Sequence, residues 1–138
     1  MKRFLLSWLA VYIINSISGF VIHHVILGAT YQALSGSLHS DAPNRIGYFI
    51  ALSITGSFFL TLIYSQWKKK QTITEGAMYG FLIGCWMSLN MALSVYASTQ
   101  LIPLSLAVQW LVYGIIQYTI AGCVVAWVFN LRNSKANQ

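Results

Sequence analysis

The stretch LSLAVQWLVYGIIQYTIAGCVVAWVF, residues 104–129, holds no charged side chain. A helix needs roughly 20 apolar residues to cross the hydrocarbon core of a bilayer, and this run is longer than that. Pro103 stands just before it, where a missing N–H costs nothing because the first donors of a helix have no partner inside the helix. Three more apolar runs precede it, near residues 4–34, 46–67 and 76–97. All four are continuous rather than alternating, which predicts helices instead of barrel strands. Only helices and closed barrels satisfy their own backbone groups in lipid. The expected fold is therefore all-α. It is a four-helix bundle forming one transmembrane domain over residues 1–138, antiparallel and up-down-up-down, with both termini cytoplasmic.

Composition points the same way. The chain is 57% hydrophobic and 7% charged. Soluble domains carry about a quarter charged residues, so this chain could not clothe a water-facing surface. The net charge of +6 could suggest nucleic acid, but its placement does not. Lys2 and Arg3 precede the first run, Lys68, Lys69 and Lys70 lie between the second and third, and Arg132 and Lys135 follow the fourth. Arg45 alone falls on the other side, so seven of the eight basic residues share one face. The positive-inside rule assigns that face to the cytoplasm of a cell inner membrane. The expected partners are the lipid bilayer, through its anionic headgroups, and a membrane protein or second copy, with no nucleic acid.

The N-terminus has features of a secretory signal: Lys2-Arg3, an apolar Phe4–Ile14 and a small-x-small Ser16-Ile17-Ser18. The apolar run continues for more than ten residues beyond Ser18, which predicts an uncleaved first span. Cys85 and Cys123 lie inside the third and fourth runs without C-x-x-C spacing, and are expected to be free, small buried hydrophobes. The connection SGSLHSDAPNR, residues 35–45, is rich in turn formers and predicts an outer loop. TITE, residues 72–75, matches a capping box, so Glu75, the only glutamate, is expected to cap a helix rather than catalyse.

The third run carries a packing signal. In GAMYGFLIGCWMS, residues 76–88, small residues recur every fourth position at Gly76, Gly80, Gly84 and Ser88. Such a ridge lets another helix approach closely. Gly114, Gly122 and Ala126 form a weaker one on the fourth run, and Ser53, Gly56 and Ser57 one on the second. Packing within the bundle is the expected use, and self-association the alternative.

GFVIHHVILGATYQ, residues 19–32, places His23 and His24 within an apolar run. Counted at 1.5 Å per residue from a span end near Tyr31, they lie roughly 10 Å in. Ser53 and Thr55 reach similar depth on the second span, Asn90 on the third, and Gln109 to Tyr113 on the fourth. Asn15 and Gln117 lie deeper. Polar groups in lipid turn to the bundle interior and pair there. Adjacent helical residues point about 100° apart, so the two histidines suit a network spread over several helices, with Ser57 as the expected partner on the second span.

Three readings remain open: a structural hydrogen-bond network, a pocket open to the outside, and a metal site. The last would combine His23 or His24 with His39 and Asp41 from the loop. Neighbours on one helix cannot clamp a haem iron from both sides. The residues name no cofactor. The apolar runs contain no internal Asp, Lys or Arg, which argues against proton- or sodium-coupled transport.

YQALSG, residues 31–36, and LIPLSLAVQWLVYGIIQY, residues 101–118, resemble stretches of small uncharacterised four-helix inner-membrane proteins of bacteria. The resemblance covers overall layout. It implies the four-helix fold and brings no activity or residue roles. The chain does not match small multidrug transporters, whose first-span glutamate is missing, or quinone-linked thiol oxidases, whose cysteine pairs are missing. The expected function is that of a small polytopic inner-membrane protein, a non-enzymatic interaction, assembly or accessory component. The alternative is small-molecule, lipid-headgroup or metal binding, with transport or enzymatic chemistry, in an outer-half pocket of His23, His24, Ser53, Ser57, Asn90, Gln109 and Tyr113.

Overall fold

The computed structural model describes residues 2–34, 36, 46–67 and 70–131. Among these residues all regular structure is helical. Helix α1 spans Lys2–Phe20, a π-helical segment follows over Val21–Ile26, and α2 spans Gly28–Ala33. The remaining helices are α3 over Ile46–Trp67, α4 over Ile73–Ser98 and α5 over Leu104–Asn130. Four are long and apolar enough to cross a membrane: Lys2–Ile26, Ile46–Trp67, Ile73–Ser98 and Leu104–Asn130.

Helix boundaries follow the local chemistry. The Thr72 hydroxyl accepts from the Glu75 backbone N–H at 3.2 Å, capping α4. The Glu75 carboxylate reaches back to the backbone N–H groups of Lys70, at 2.6 Å, and Gln71, at 3.1 Å. Its charge thus sits on donors at the positive end of the helix dipole. Gln71 turns the chain through a positive φ of 56° just before the cap. Pro103 stands at the start of α5, with fixed φ of −71°.

The first apolar run is not one regular helix. The Leu27 N–H bonds the Ile22 carbonyl at 2.9 Å, five residues back, so the winding widens before α2 begins. Each residue of Val21–Ile26 is β-branched or carries an imidazole. Side chains branched near the backbone lose χ1 freedom in a helix and slightly lower its stability there.

Helices α4 and α5 form the tightest pair. A Cβ on Gly76 would strike the Gly122 carbonyl and Ala126, and one on Gly80 would strike the Tyr118 carbonyl. On Gly84 it would lie 2.9 Å from Ile115 Cα. Gly114 faces Ser88. These pairs run in opposite senses along the two helices, so α4 and α5 are antiparallel. The small-residue ridge is therefore spent inside the chain, with backbone against backbone.

Helix α1 packs on α5 and on α3, giving a spatial order α3–α1–α5–α4. At the end of the bundle near Thr72 the row closes. Leu60, Tyr64, Tyr79, Val125 and Phe129 share one buried cluster with Val11. The Tyr79 hydroxyl donates to the Leu60 carbonyl at 2.6 Å, tying α4 to α3. A second cluster at the Pro103 end joins Ile22, Leu27, Ala92, Ile102, Leu106 and Ala107, with no residue of α3 among them. The first half of α3 is exposed from Ile46 to Gly56 except for half-buried Ser53, and Tyr48 is 72% accessible.

Candidate functional site

Because α1 and α4 both lean on α5 but barely on each other, a space remains between them at the Pro103 end. It is a cleft of about 670 Å³, open on one side. The π segment contributes Ile22 and His23. Helix α4 contributes Trp86, Met87, Asn90, Met91 and Ser94, and α5 contributes Trp110, Tyr113 and Gln117. Pockets that take small molecules are of this size and character, mostly apolar with a few polar groups.

His23 is held by a chain of contacts across two helical elements and α5. The Trp110 indole N–H donates to the Tyr31 hydroxyl at 2.6 Å. The Tyr31 oxygen lies 2.7 Å from His23 Nδ1. Having accepted from the indole, the phenol satisfies all three groups by donating its own proton to His23 Nδ1. The ring then carries its hydrogen on Nε2 and keeps a donor for the cleft. The rings of His23 and Tyr31 are stacked, 5.9 Å apart with planes 19° from parallel. Eight residues along a regular α-helix are roughly 80° out of line, so the π turn between them matters to this alignment. π turns of this kind recur at functional sites.

His24 points elsewhere. It is exposed, stacked on Phe20 with centroids 5.0 Å apart, and does not line the cleft. Asn90 and Tyr113 line the cleft, and the Asn90 amide also donates to its own helix at the Trp86 carbonyl, at 2.7 Å. Gln109 lies outside the cleft lining, with its side-chain oxygen buried and unpartnered among the described residues. Ser53 meets Ser16 of α1 at 3.3 Å, and Thr55 is exposed.

Ser57 does not partner a histidine. It accepts from the Asn15 amide at 3.2 Å, while Gln117 donates to the Asn15 backbone carbonyl at 3.2 Å. The two polar residues placed deepest by sequence thus join α1, α3 and α5 in one layer. Counting residues from a loop gives depth only when the helices lie parallel. Here Ser57 meets Asn15, eight residues before His23, and Ser53 meets Ser16, so the expected register of Ser57 opposite the histidines does not become a contact.

Cys85 and Cys123 are free thiols. Among the described residues no three His, Cys, Asp or Glu side chains gather closely enough to hold a metal ion. His39 and Asp41, needed for the metal reading, lie outside the described residues.

Sequence reasoning missed Tyr31, Trp86 and Trp110. The signal available was the shared depth of Tyr31 and Trp110 near the ends of facing spans, where an aromatic with a polar tip seeks a partner. The fold and cleft define the class: a helical bundle whose four long apolar helices suit a multi-pass membrane protein. No protein-family model, curated protein or solved structure matches the chain.

Proposed function

We propose that the chain is a non-enzymatic multi-pass protein of a bacterial-type inner membrane that takes an amphipathic small molecule sideways into the cleft between α1 and α4. Its spans run up-down-up-down with both termini and Lys70 on the cytoplasmic side, as the distribution of basic residues favours. The observation that carries the reading is His23, fixed by Tyr31 and Trp110 in the lining of a largely apolar cleft. An ionisable side chain placed so within a span is by default a functional group.

The test is mass spectrometry of the protein released intact from mild detergent. The wild type is expected to carry a bound small molecule or lipid that Ser94→Trp, filling the cleft, expels. A wild type that holds nothing, and whose melting no added amphiphile shifts, overturns the reading. The exposed first half of α3 favours a second reading, an assembly component that takes a membrane-protein partner or a second copy there. A co-purifying chain retained by Ser94→Trp would select it.

A further inference from the structure

We propose that the occupant of this cleft is an uncharged amphiphile with a planar, carbonyl-bearing headgroup of the quinone type, its ring between Trp86, Trp110 and Tyr113 and one carbonyl oxygen accepting from His23. The proposal rests on the reading of the cleft as a ligand site and names the chemistry of its ligand.

Charge decides the first point. Among the described residues no Lys, Arg, Asp or Glu lines the cleft. A phosphate or ammonium headgroup brought into it would lose water without gaining a counter-charge. The ligand's polar end is therefore neutral.

Hydrogen bonding decides the second. With Nδ1 occupied by Tyr31, His23 offers a donor at Nε2. Asn90 uses one amide hydrogen on the Trp86 carbonyl, and Gln117 uses one on Asn15, which leaves each a second. The amides carry acceptors as well, so it is the Nε2 donor of His23, set by Tyr31 on Nδ1, that calls for an acceptor on the ligand, as a carbonyl oxygen is. Gln117 is tied to Asn15, eight residues before His23, so the two donors stand at different depths of the cleft.

Shape decides the third. Four aromatic side chains from two helices, Trp86, Trp110, Tyr113 and Tyr118, border the space, and flat rings stack on flat rings. Met87 and Met91 add adaptable, polarisable walls. The open side lets an apolar tail leave into lipid.

The experiment uses the full chain in mild detergent with decylubiquinone as the probe. Melting temperature and tryptophan fluorescence are followed, with dioleoylglycerol and dioleoylphosphatidylglycerol in parallel. Decylubiquinone is expected to raise the melting temperature and quench fluorescence saturably, and the two lipids to do neither. His23→Phe, which keeps a ring but loses the donor, should weaken binding about fivefold, the value of one hydrogen bond. Trp86→Leu, at an exposed ring, should weaken it as well and serves if His23→Phe does not fold. Ser94→Trp should abolish it.

Stabilisation by dioleoylglycerol alone, lost in Ser94→Trp, would overturn the quinone and leave the ligand site standing. Equal quenching in the wild type and all variants would mean partition into the micelle and overturn the proposal. No shift with any probe, together with an empty wild type by mass spectrometry, would remove the ligand site itself.

Discussion

The seam between α4 and α5 and the first half of α3 use the same residue pattern to opposite ends. On α4, Gly76, Gly80, Gly84 and Ser88 recur every four residues and all are buried. On α3, Gly47, Ala51 and Thr55 also recur every four residues, and all are exposed. Nothing lies within 4 Å of a Cβ built on Gly47. Small residues therefore permit close approach without compelling it. What differs is the partner: α5 sets Gly114, Gly122 and Ala126 against the α4 ridge, whereas no described residue lies within 4 Å of a Cβ on Gly47.

The sharpest way to break this contrast is to add bulk at the seam. Gly84→Leu would set a Cβ 2.9 Å from Ile115 Cα and 3.1 Å from Tyr118 Cβ before the rest of the side chain is placed. Overpacking costs about 1–3 kcal/mol where neighbours can move and more where the obstacle is backbone. The expected loss is about 3 kcal/mol or more, seen as a collapsed melting transition in detergent. Gly80→Ala, opposed by the Tyr118 carbonyl and by Thr119 Cα at 2.9 Å, should fall between this variant and the wild type. A wild-type melting curve for Gly84→Leu would mean that α4 and α5 do not meet as described.

The two regions also differ in how far the sequence reveals them. Four helices long and apolar enough to cross a membrane follow from runs such as 104–129, because lipid leaves the backbone few alternatives. The α4 ridge and the Glu75 cap were legible for the same reason: spacing along one helix carries both. The site was less so. His23 and His24 look equivalent in sequence, yet only His23 lines the cleft, because adjacent helical residues point about 100° apart and the neighbour each one meets is set by tertiary packing. Tyr31 and Trp110 are 79 residues apart and meet only through the packing of α1 and α2 on α5. The cleft itself belongs to no segment. It exists because two helices share a third without touching closely.

Two hydroxyls test the closed and open ends against each other. Tyr79→Phe removes the bond that ties α4 to the Leu60 carbonyl at the buried end. The expected cost is about 1–1.5 kcal/mol, within the range of a net hydrogen bond. Hydrogen exchange should show the loss as faster exchange along α3. Tyr31→Phe removes the link between Trp110 and His23 at the open end. Interhelical polar contacts in membranes average about 0.6 kcal/mol, and these groups border an open cleft, so the expected cost is the smaller of the two. The ring nitrogens of His23 report it directly: their NMR shifts should show Nδ1 losing its partner. If Tyr31→Phe costs more than Tyr79→Phe, the open end is the tighter one and the comparison is reversed.

The smallest effect is expected at Gly56→Ala, which probes the exposed side of the first half of α3. No atom lies within 4 Å of a Cβ at that position, and the residue sits inside a helix. Alanine costs less backbone entropy than glycine in a helix interior, a gain of roughly 0.5–1 kcal/mol in water. Lipid shields the backbone similarly in both variants, so the expected change in detergent is between zero and that gain. Ser57 next to it stays bonded to Asn15, since its side chain points into the bundle while position 56 points out. A matched pair makes the test decisive. Gly80→Ala and Gly56→Ala add the same methyl group to equally helical positions, one against backbone and one against open space. Opposite signs in thermal melting would sustain the contrast. A comparable loss at both would mean that the first half of α3 is covered in the native membrane, and the natural cover would be a second copy or a partner seated on Gly47, Ala51 and Thr55.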